Sequence, residues 1–315
     1  MHRFPRVSVI TPVYNGEKWV NETLSSIAAS TYPNFEMVVV NDGSTDKTLD
    51  VLQNFKESFF KNLVIVDKQN GGESDAVNHG VAASEGSYVM IVNADDPIYP
   101  HTISRLVEAL EVNPQAVVAY PDWQMIDVTG VVIQTVETPD YSRFKLVCEN
   151  NCLPGPGALI RRVAVEGNLR DTSVKFIPDY EAWLRLSAKG NFIRVPEVLA
   201  TWRSHSGGAT TYVRGAGPAL EMVSVMNRFL ANSNSSEFAL REKWIAKANS
   251  YGRGAAQSLL RRGVPGRRFA IRSWAYASVS GRIPLTLDIV ATAAIMINPL
   301  GLMLYRYFYR NHSKA

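Results

Sequence analysis

The stretch Val7-Ser8-Val9-Ile10-Thr11-Pro12-Val13-Tyr14-Asn15-Gly16 decides how the fold is read. A short β-branched apolar run gives way to Pro, Tyr, Asn and Gly, the pattern of a strand buried on both faces that ends in a loop. The pattern recurs downstream. Phe35-Glu36-Met37-Val38-Val39-Val40 runs into Asn41-Asp42-Gly43-Ser44-Thr45-Asp46, Leu63-Val64-Ile65-Val66 follows, and Tyr88-Val89-Met90-Ile91-Val92 runs into Asn93-Ala94-Asp95-Asp96-Pro97. Helical patterns lie between. Residues 17–30 place Trp19, Val20, Leu24 and Ile27 on one stripe, residues 46–56 gather Leu49, Leu52 and Phe55, and 74–84 is small and helix-compatible. The alternation β-α-β-α-β-α-β over the first 95 residues predicts an open, mostly parallel, Rossmann-like α/β sheet flanked by helices.

Beyond residue 95 the pattern predicts a helix at 101–112, a strand at 116–120 and a hairpin around Asp127-Val128-Thr129-Gly130. A helix follows Pro178, and strand-like pieces occupy 192–195 and 197–202. From about 216 onward the chain reads as helices, with breaks near Gly263-Val264-Pro265-Gly266 and at Pro284. Residues 1–215 are therefore expected to form an α/β domain and 216–315 a helical C-terminal region. Charge divides in the same area. Residues 1–240 hold 20 Lys and Arg against 27 Asp and Glu, whereas 241–315 hold 13 against 2, so an acidic body precedes a basic tail suited to an anionic surface.

With 46% hydrophobic and 20% charged residues the chain is neither disordered nor fibrous. Cys148 and Cys152, without a His at zinc-ligand spacing, exclude a disulfide scaffold and argue against structural zinc. The basic start Met1-His2-Arg3-Phe4-Pro5-Arg6 meets the first strand with no apolar signal core, so a reduced, cytoplasmic compartment is expected. No nucleic-acid partner is expected.

Ligands of open α/β sheets bind at the carboxyl ends of the strands. Turn chemistry and helix capping account for Asp46 ahead of a helix. They do not account for Asp95 beside Asp96 at a strand mouth, where mutual repulsion is costly without a cation. Mg²⁺ or Mn²⁺ shared with phosphate oxygens would relieve it, because hard cations accept one or two carboxylates and leave other positions to substrate and water.

These motifs, in order and at these spacings, resemble a family 2 glycosyltransferase of the GT-A fold. Gly72-Glu73-Ser74-Asp75-Ala76-Val77-Asn78-His79-Gly80 and Glu85-Gly86-Ser87-Tyr88 match the same family between them, and the likeness covers roughly residues 5–210. It implies an inverting transfer of sugar from a nucleotide diphosphate, most often uridine diphosphate, to a hydroxyl of a glycan, polysaccharide end or lipid-linked acceptor. Pro12 and Tyr14 would contact base and ribose, Asp42 would accept a hydrogen bond from the base, and Asp75 would line the nucleotide pocket. Asp96 would be the direct metal ligand, with Asp95 toward the ribose or the metal's water. Asn93 stands where the usual first acid would be, which resembles the branch reading Asn-x-Asp-Asp.

Inverting transfer needs one base and no protein nucleophile. Asp179, in Ile177-Pro178-Asp179-Tyr180-Glu181-Ala182-Trp183-Leu184-Arg185-Leu186, matches the family's acid at the head of a helix. Spacing alone favours a cap or a dipole partner, and it is the resemblance that implies the base instead. Trp202-Arg203-Ser204-His205 resembles the segment that closes the catalytic domain, and His205 could reach the diphosphate or the metal. Asn151–Gly157 carries two Pro-Gly units that allow close backbone approach and, in the family, lines the acceptor side. His79 reads as a helix-face residue.

Three other readings are weaker. Thr11–Gly16 is not the G-x-G-x-x-G of a dinucleotide oxidoreductase. A nucleotidyltransferase would carry a Gly-rich basic loop after the first strand, where this chain has Glu17 and Lys18. A non-catalytic sugar-nucleotide or glycan binding module predicts loss of Asp96 or Asp179, and both are present. In the tail, the apolar run Ile289–Ile297 is only nine residues, too short for a span of about 20. A spanning helix over 285–305 is therefore the weakest of three readings, beside a helix packed on the catalytic domain and an interfacial helix. The arginines before the run and Tyr305-Arg306-Tyr307-Phe308-Tyr309-Arg310 after it suit peripheral contact of residues 261–315 with the anionic inner face of a membrane.

Overall fold

The computed structural model describes residues 4–60, 63–152, 154–205, 217–231 and 240–260. In chain order the elements are β1 (Val7–Val13), α1 (Val20–Ala28), β2 (Phe35–Asp42), α2 (Thr48–Ser58), β3 (Val64–Lys68), α3 (Glu73–Ala82), β4 (Tyr88–Ile91) and α4 (Thr102–Val112). There follow β5 (Ala116–Ile126), β6 (Val132–Val136), α5 (Arg143–Cys148), β7 (Leu159–Arg161), α6 (Pro178–Ser187), β8 (Asn191–Arg203), α7 (Gly217–Ala231) and α8 (Leu240–Leu260). The chain divides into two compact units. One comprises Met1–Tyr141, Cys152–Ser173 and Pro178–Thr211; the other comprises Ser142–Asn151, Val174–Ile177 and Tyr212–Ala315.

The first unit holds one eight-stranded sheet in the order β3-β2-β1-β4-β7-β5-β6, with β8 paired to β5. β1 to β4 pair in parallel, as do β5 and β8, while β7 and β6 run antiparallel to their neighbours. Every residue of β1 is buried, which is why its sequence is almost continuously apolar. Alternate side chains serve opposite faces. Val7, Val9, Met37 and Val39 join Leu24 and Ile27 of α1, Leu52 and Phe55 of α2, and Leu106 and Leu110 of α4 in one core. Each of these large side chains, once buried, contributes about 1.5–3 kcal/mol. On the other face α3 lies against β1 and β2. It approaches so closely that a Cβ at Gly80 would stand 2.3 Å from Ile10 Cγ2 and 3.2 Å from Val40 Cγ2.

Several details differ from the sequence expectation. β3 is an edge strand, with Val64 exposed, so its apolar run covers only part of its surface. The strand-like pieces 192–195 and 197–202 are one strand, β8, whose register slips where Pro121 faces Val195 and Asp122 faces Val198. Pro121 and Pro196 have no N–H to continue the ladder there. Trp19 is half-buried and does not enter the α1 core stripe.

Glu36 sits within the apolar run of β2 and is buried. Burial alone would raise its carboxyl. Hydrogen bonds from Ser8 Oγ (2.7 Å), Glu85 N–H (2.8 Å) and Gly86 N–H (3.0 Å), with the Arg6 ion pair, outweigh that and hold it below the usual glutamate range. A depressed carboxyl contributes stability that is present above its unfolded value of 4.5 and lost as pH falls through the folded value. Glu36→Gln should therefore cost about 1–3 kcal/mol at pH 7, and the two proteins should converge in acid. Urea unfolding at neutral and acidic pH checks this; a constant offset across the range would contradict it.

In the second unit, Ser142 Oγ caps α5 by accepting the Lys145 N–H. Asn249 Nδ2 donates to the Cys148 carbonyl at 2.6 Å, tying α8 to α5, and Asn227 donates to Tyr251 Oη at 3.1 Å, tying α7 to α8. Glu221 of α7 accepts the main-chain N–H groups of Lys175, Phe176 and Ile177. The tail from 261, with its apolar run and aromatic-basic end, lies outside the described residues, as do Ser206–Gly208. Among the described residues no helix is long and apolar enough to cross a membrane.

Candidate active site

At the carboxyl ends of β1, β2 and β4 the first unit opens into a cavity of about 1270 Å³. That exceeds the roughly 300–1,000 Å³ usual for one small ligand, and leaves room for two substrates. Pro12, Tyr14, Asp42, Asp95, Asp96, Asp179 and His205 all line it. Asp75, expected in the nucleotide pocket, is not among the lining residues.

The acid pair forms the charged end. Asp96 is 4% exposed, and burial, then the charge of Asp95, pushes its carboxyl up to about 7. Its Oδ1 accepts the Arg203 N–H at 2.8 Å, and its Oδ2 accepts Asn93 Nδ2 at 3.1 Å. Asn93 thus supplies a donor where a third acid would have added repulsion. Asp95 Oδ2 lies 2.7 Å from His205 Nε2, and its carbonyl accepts Arg203 Nε at 2.9 Å. The Arg203 guanidinium, 1% exposed, also reaches the Asp127 carbonyl and Glu22. Strand β8 therefore supplies the residue that organises the end of β4, a role its place in a motif did not reveal. Two adjacent carboxyl groups at a strand mouth are hard oxygen donors that fit a divalent cation. Among the described residues no group of three or more His, Cys, Asp or Glu could hold a metal. The fit is therefore to an ion that takes one or two carboxylates and completes its shell from substrate and water.

Asp42, 2% exposed, is held by the protein on three sides. Lys68 Nζ and Gly71 N–H donate to Oδ1 at 2.5 and 2.9 Å, and Gly72 N–H donates to Oδ2 at 2.8 Å. Burial opposes ionisation, but these donors win and hold the carboxyl below the usual aspartate range. One lone-pair direction remains for a ligand. Lys68 also pairs with Asp75 at 2.7 Å, so Asp75 is connected to the cavity through that lysine. Asp46 serves loop chemistry: it accepts the Thr48 N–H at 3.0 Å and the Glu17 N–H at 3.2 Å.

Asp179 is the second residue of α6; its side chain is 56% exposed and forms an ion pair with the buried Arg170. Cys152 and Glu73 open onto the same cavity. Cys152 is exposed at the cavity wall, and the protein around its thiol, then the Asp179 charge, push it up to about 12, away from the range of an activated nucleophile. Surrounding protein and the Asp179 charge likewise raise the Glu73 carboxyl.

Aromatic rings complete the walls. Trp19 packs on His205 with ring centroids 4.3 Å apart, so the indole placed in the α1 stripe by periodicity instead buttresses the acid pair. Gly155 lies against Trp123, where a Cβ would meet Nε1 at 2.5 Å, so this position of the loop takes no side chain. No periodic signal could have found either contact.

Comparisons with known proteins agree with this architecture. Residues 8–166 match the family described as Glycosyl transferase family 2. An uncharacterized glycosyltransferase of Rickettsia typhi is 31% identical over 219 residues, 65% of this chain; the chain spans just under two thirds (66%) of that relative's length. The putative teichuronic acid biosynthesis glycosyltransferase TuaG of Bacillus subtilis is 25% identical over 63% of this chain and 79% of its own. Among solved structures, S. aureus TarS 1–349 in complex with UDP-GlcNAc superposes with a TM-score of 0.57 at 19% identity, covering 91% of this chain and 90% of TarS. The mannosyltransferase PcManGT from Pyrobaculum calidifontis, in complex with GDP-Man and Mn²⁺, gives 0.56 at 18% identity over 96% and 84%. These two likenesses speak to the fold, which is GT-A. With the family match over half the chain, the sheet order and the acid pair at the end of β4 have one consistent explanation: the chain belongs to glycosyltransferase family 2.

Proposed function

We propose that the protein is an inverting glycosyltransferase that moves a sugar from a nucleoside diphosphate to a hydroxyl of a glycan or lipid-linked acceptor in cell-wall polysaccharide synthesis. The observation that carries this reading is that Asp96 and Asp179 open onto one cavity large enough for donor and acceptor together. UDP-sugars are the first donors to test, since TarS holds UDP-GlcNAc, and GDP-sugars the second, since PcManGT holds GDP-Man. The cell-wall acceptor is supported by the name of TuaG. Asn93, donating to Asp96, supports the Asn-x-Asp-Asp form of the acid motif.

In this reading Pro12 and Tyr14 receive the nucleoside, and Asp42 offers its remaining lone pair to the base. Asp95 and Asp96, with His205 beside them, hold a divalent cation, which would act as a Lewis acid on the diphosphate leaving group. Asp179 takes the proton from the acceptor oxygen as that oxygen bonds to the anomeric carbon. No covalent sugar–protein intermediate is required.

Calorimetry with UDP- and GDP-sugars, each with and without Mn²⁺, tests the donor side. One nucleotide class should bind in the presence of Mn²⁺ and hydrolyse slowly without acceptor. Absence of binding by any nucleoside diphosphate sugar would overturn the assignment.

A further inference from the structure

The transfer as described makes no use of Arg170, a charged group of the cavity wall. Arg170 is 6% exposed, and its guanidinium is a fork of five N–H donors with no acceptor. Among the described residues its ion pair is with Asp179, while its Nε and Nη1, both buried, have no hydrogen-bond partner. Burying a cation with two of its three nitrogens unpaired is costly, so stability of the fold is a poor account of its presence.

Its main chain is held on both sides. The Arg170 N–H donates to Asn78 Oδ1 at 2.9 Å, and Asn78 Nδ2 donates to the Arg170 carbonyl at 2.9 Å. Asn78 belongs to the Gly72–Gly80 motif, in which Asp75 pairs with Lys68 and Glu73 lines the cavity. The same helix, α3, begins at Glu73, which lines the cavity within electrostatic reach of both Arg170 and Asp179. Without Arg170, the half-exposed Asp179 side chain would be free to turn between rotamers and would face Glu73 as a like charge.

We propose that Arg170 is a positioning residue for the transfer reaction, directing the Asp179 carboxylate toward the acceptor, and that Asn78 fixes Arg170 in turn. The inference rests on the reading of Asp179 as the base. A displaced base of this kind costs up to about 10²-fold in rate. Arg170→Met should therefore lower kcat by about 10–10²-fold while leaving donor affinity within about twofold, and Arg170→Lys should recover part of the loss. Asn78→Ala, which leaves every charge in place, should lower kcat in the same sense by a smaller factor.

The decisive measurement is the double variant. If Arg170 acts through Asp179, Arg170→Met should cost less than about twofold when added to Asp179→Asn. Full additivity, or wild-type kcat in Arg170→Met, overturns the proposal while Asp179 as base stands. Near wild-type turnover in Asp179→Asn alone overturns both. Should Arg170→Met fail to fold, Arg170→Lys enters the same cycle in its place.

Discussion

Asp179→Asn is expected to lower turnover by about 10²–10⁴-fold while donor affinity stays within a few fold. That loss corresponds to about 2.7–5.5 kcal/mol of transition-state stabilisation. The substitution suits the question because of where Asp179 sits. As the second residue of α6 it occupies a position where an acid serves a helix terminus equally well, and a capping or dipole role is the ordinary explanation. Asn satisfies helix N-termini about as well as Asp, so an Asp179 that only served the helix would pass through the change with its turnover intact. A proton acceptor would not, since the amide has no basic oxygen at neutral pH. The change also leaves the buried Arg170 guanidinium without its charge partner, so the stability of the variant is measured beside its turnover. Steady-state turnover with a true acceptor, set beside donor calorimetry, separates the outcomes. Lost donor binding would move Asp179 to the nucleotide side of the cavity, and retained turnover would make it a helix terminus.

What the sequence disclosed was whatever is local. β1, β2 and β4 are legible because central parallel strands must be apolar on both faces, and their loops are legible because Asp42, Asp95 and Asp96 follow directly on those runs. The edge position of β3 was hidden by the same rule, since Leu63-Val64-Ile65-Val66 looks like an interior strand until its neighbours are known. Glu36 was hidden inside an apolar run because its partners, Ser8, Glu85 and Gly86, come from other elements. The remaining misses are pairings at long range. Arg203 meets Asp96 across 107 residues and Asn78 meets Arg170 across 92. Trp19 fits the helical stripe by spacing, yet the first turn of α1 faces His205. Periodicity reports which face of an element is apolar; it carries no information about which distant residue arrives at the other face.

Asp96→Asn is expected to reduce divalent-cation-dependent donor affinity by about 100-fold or more, since even outer partners of metal ligands typically account for 10–100-fold. The structure separates this from a general loss of fold. Asp96 is buried beside a second acid, and both burial and the Asp95 charge oppose its ionisation. The native arrangement therefore tolerates a destabilising charge, and removing that charge takes away a repulsion with Asp95. The amide oxygen of the variant can still accept the Arg203 N–H, which keeps the end of β4 tied to β8. One loss is local: Asn93 donates to Asp96 Oδ2 and would need to rotate away from an amide NH₂. Melting temperature without ligand should accordingly change by only a few degrees. The two proteins should part once donor and Mn²⁺ are added. A ligand at 100 times its Kd stabilises the folded state by about 2.7 kcal/mol, so the wild type should melt several degrees higher with both present, and the variant should not. Equal shifts in the two proteins would show that the cation is held elsewhere. A variant that melts far lower without ligand would make Asp96 a structural residue whose charge the fold requires.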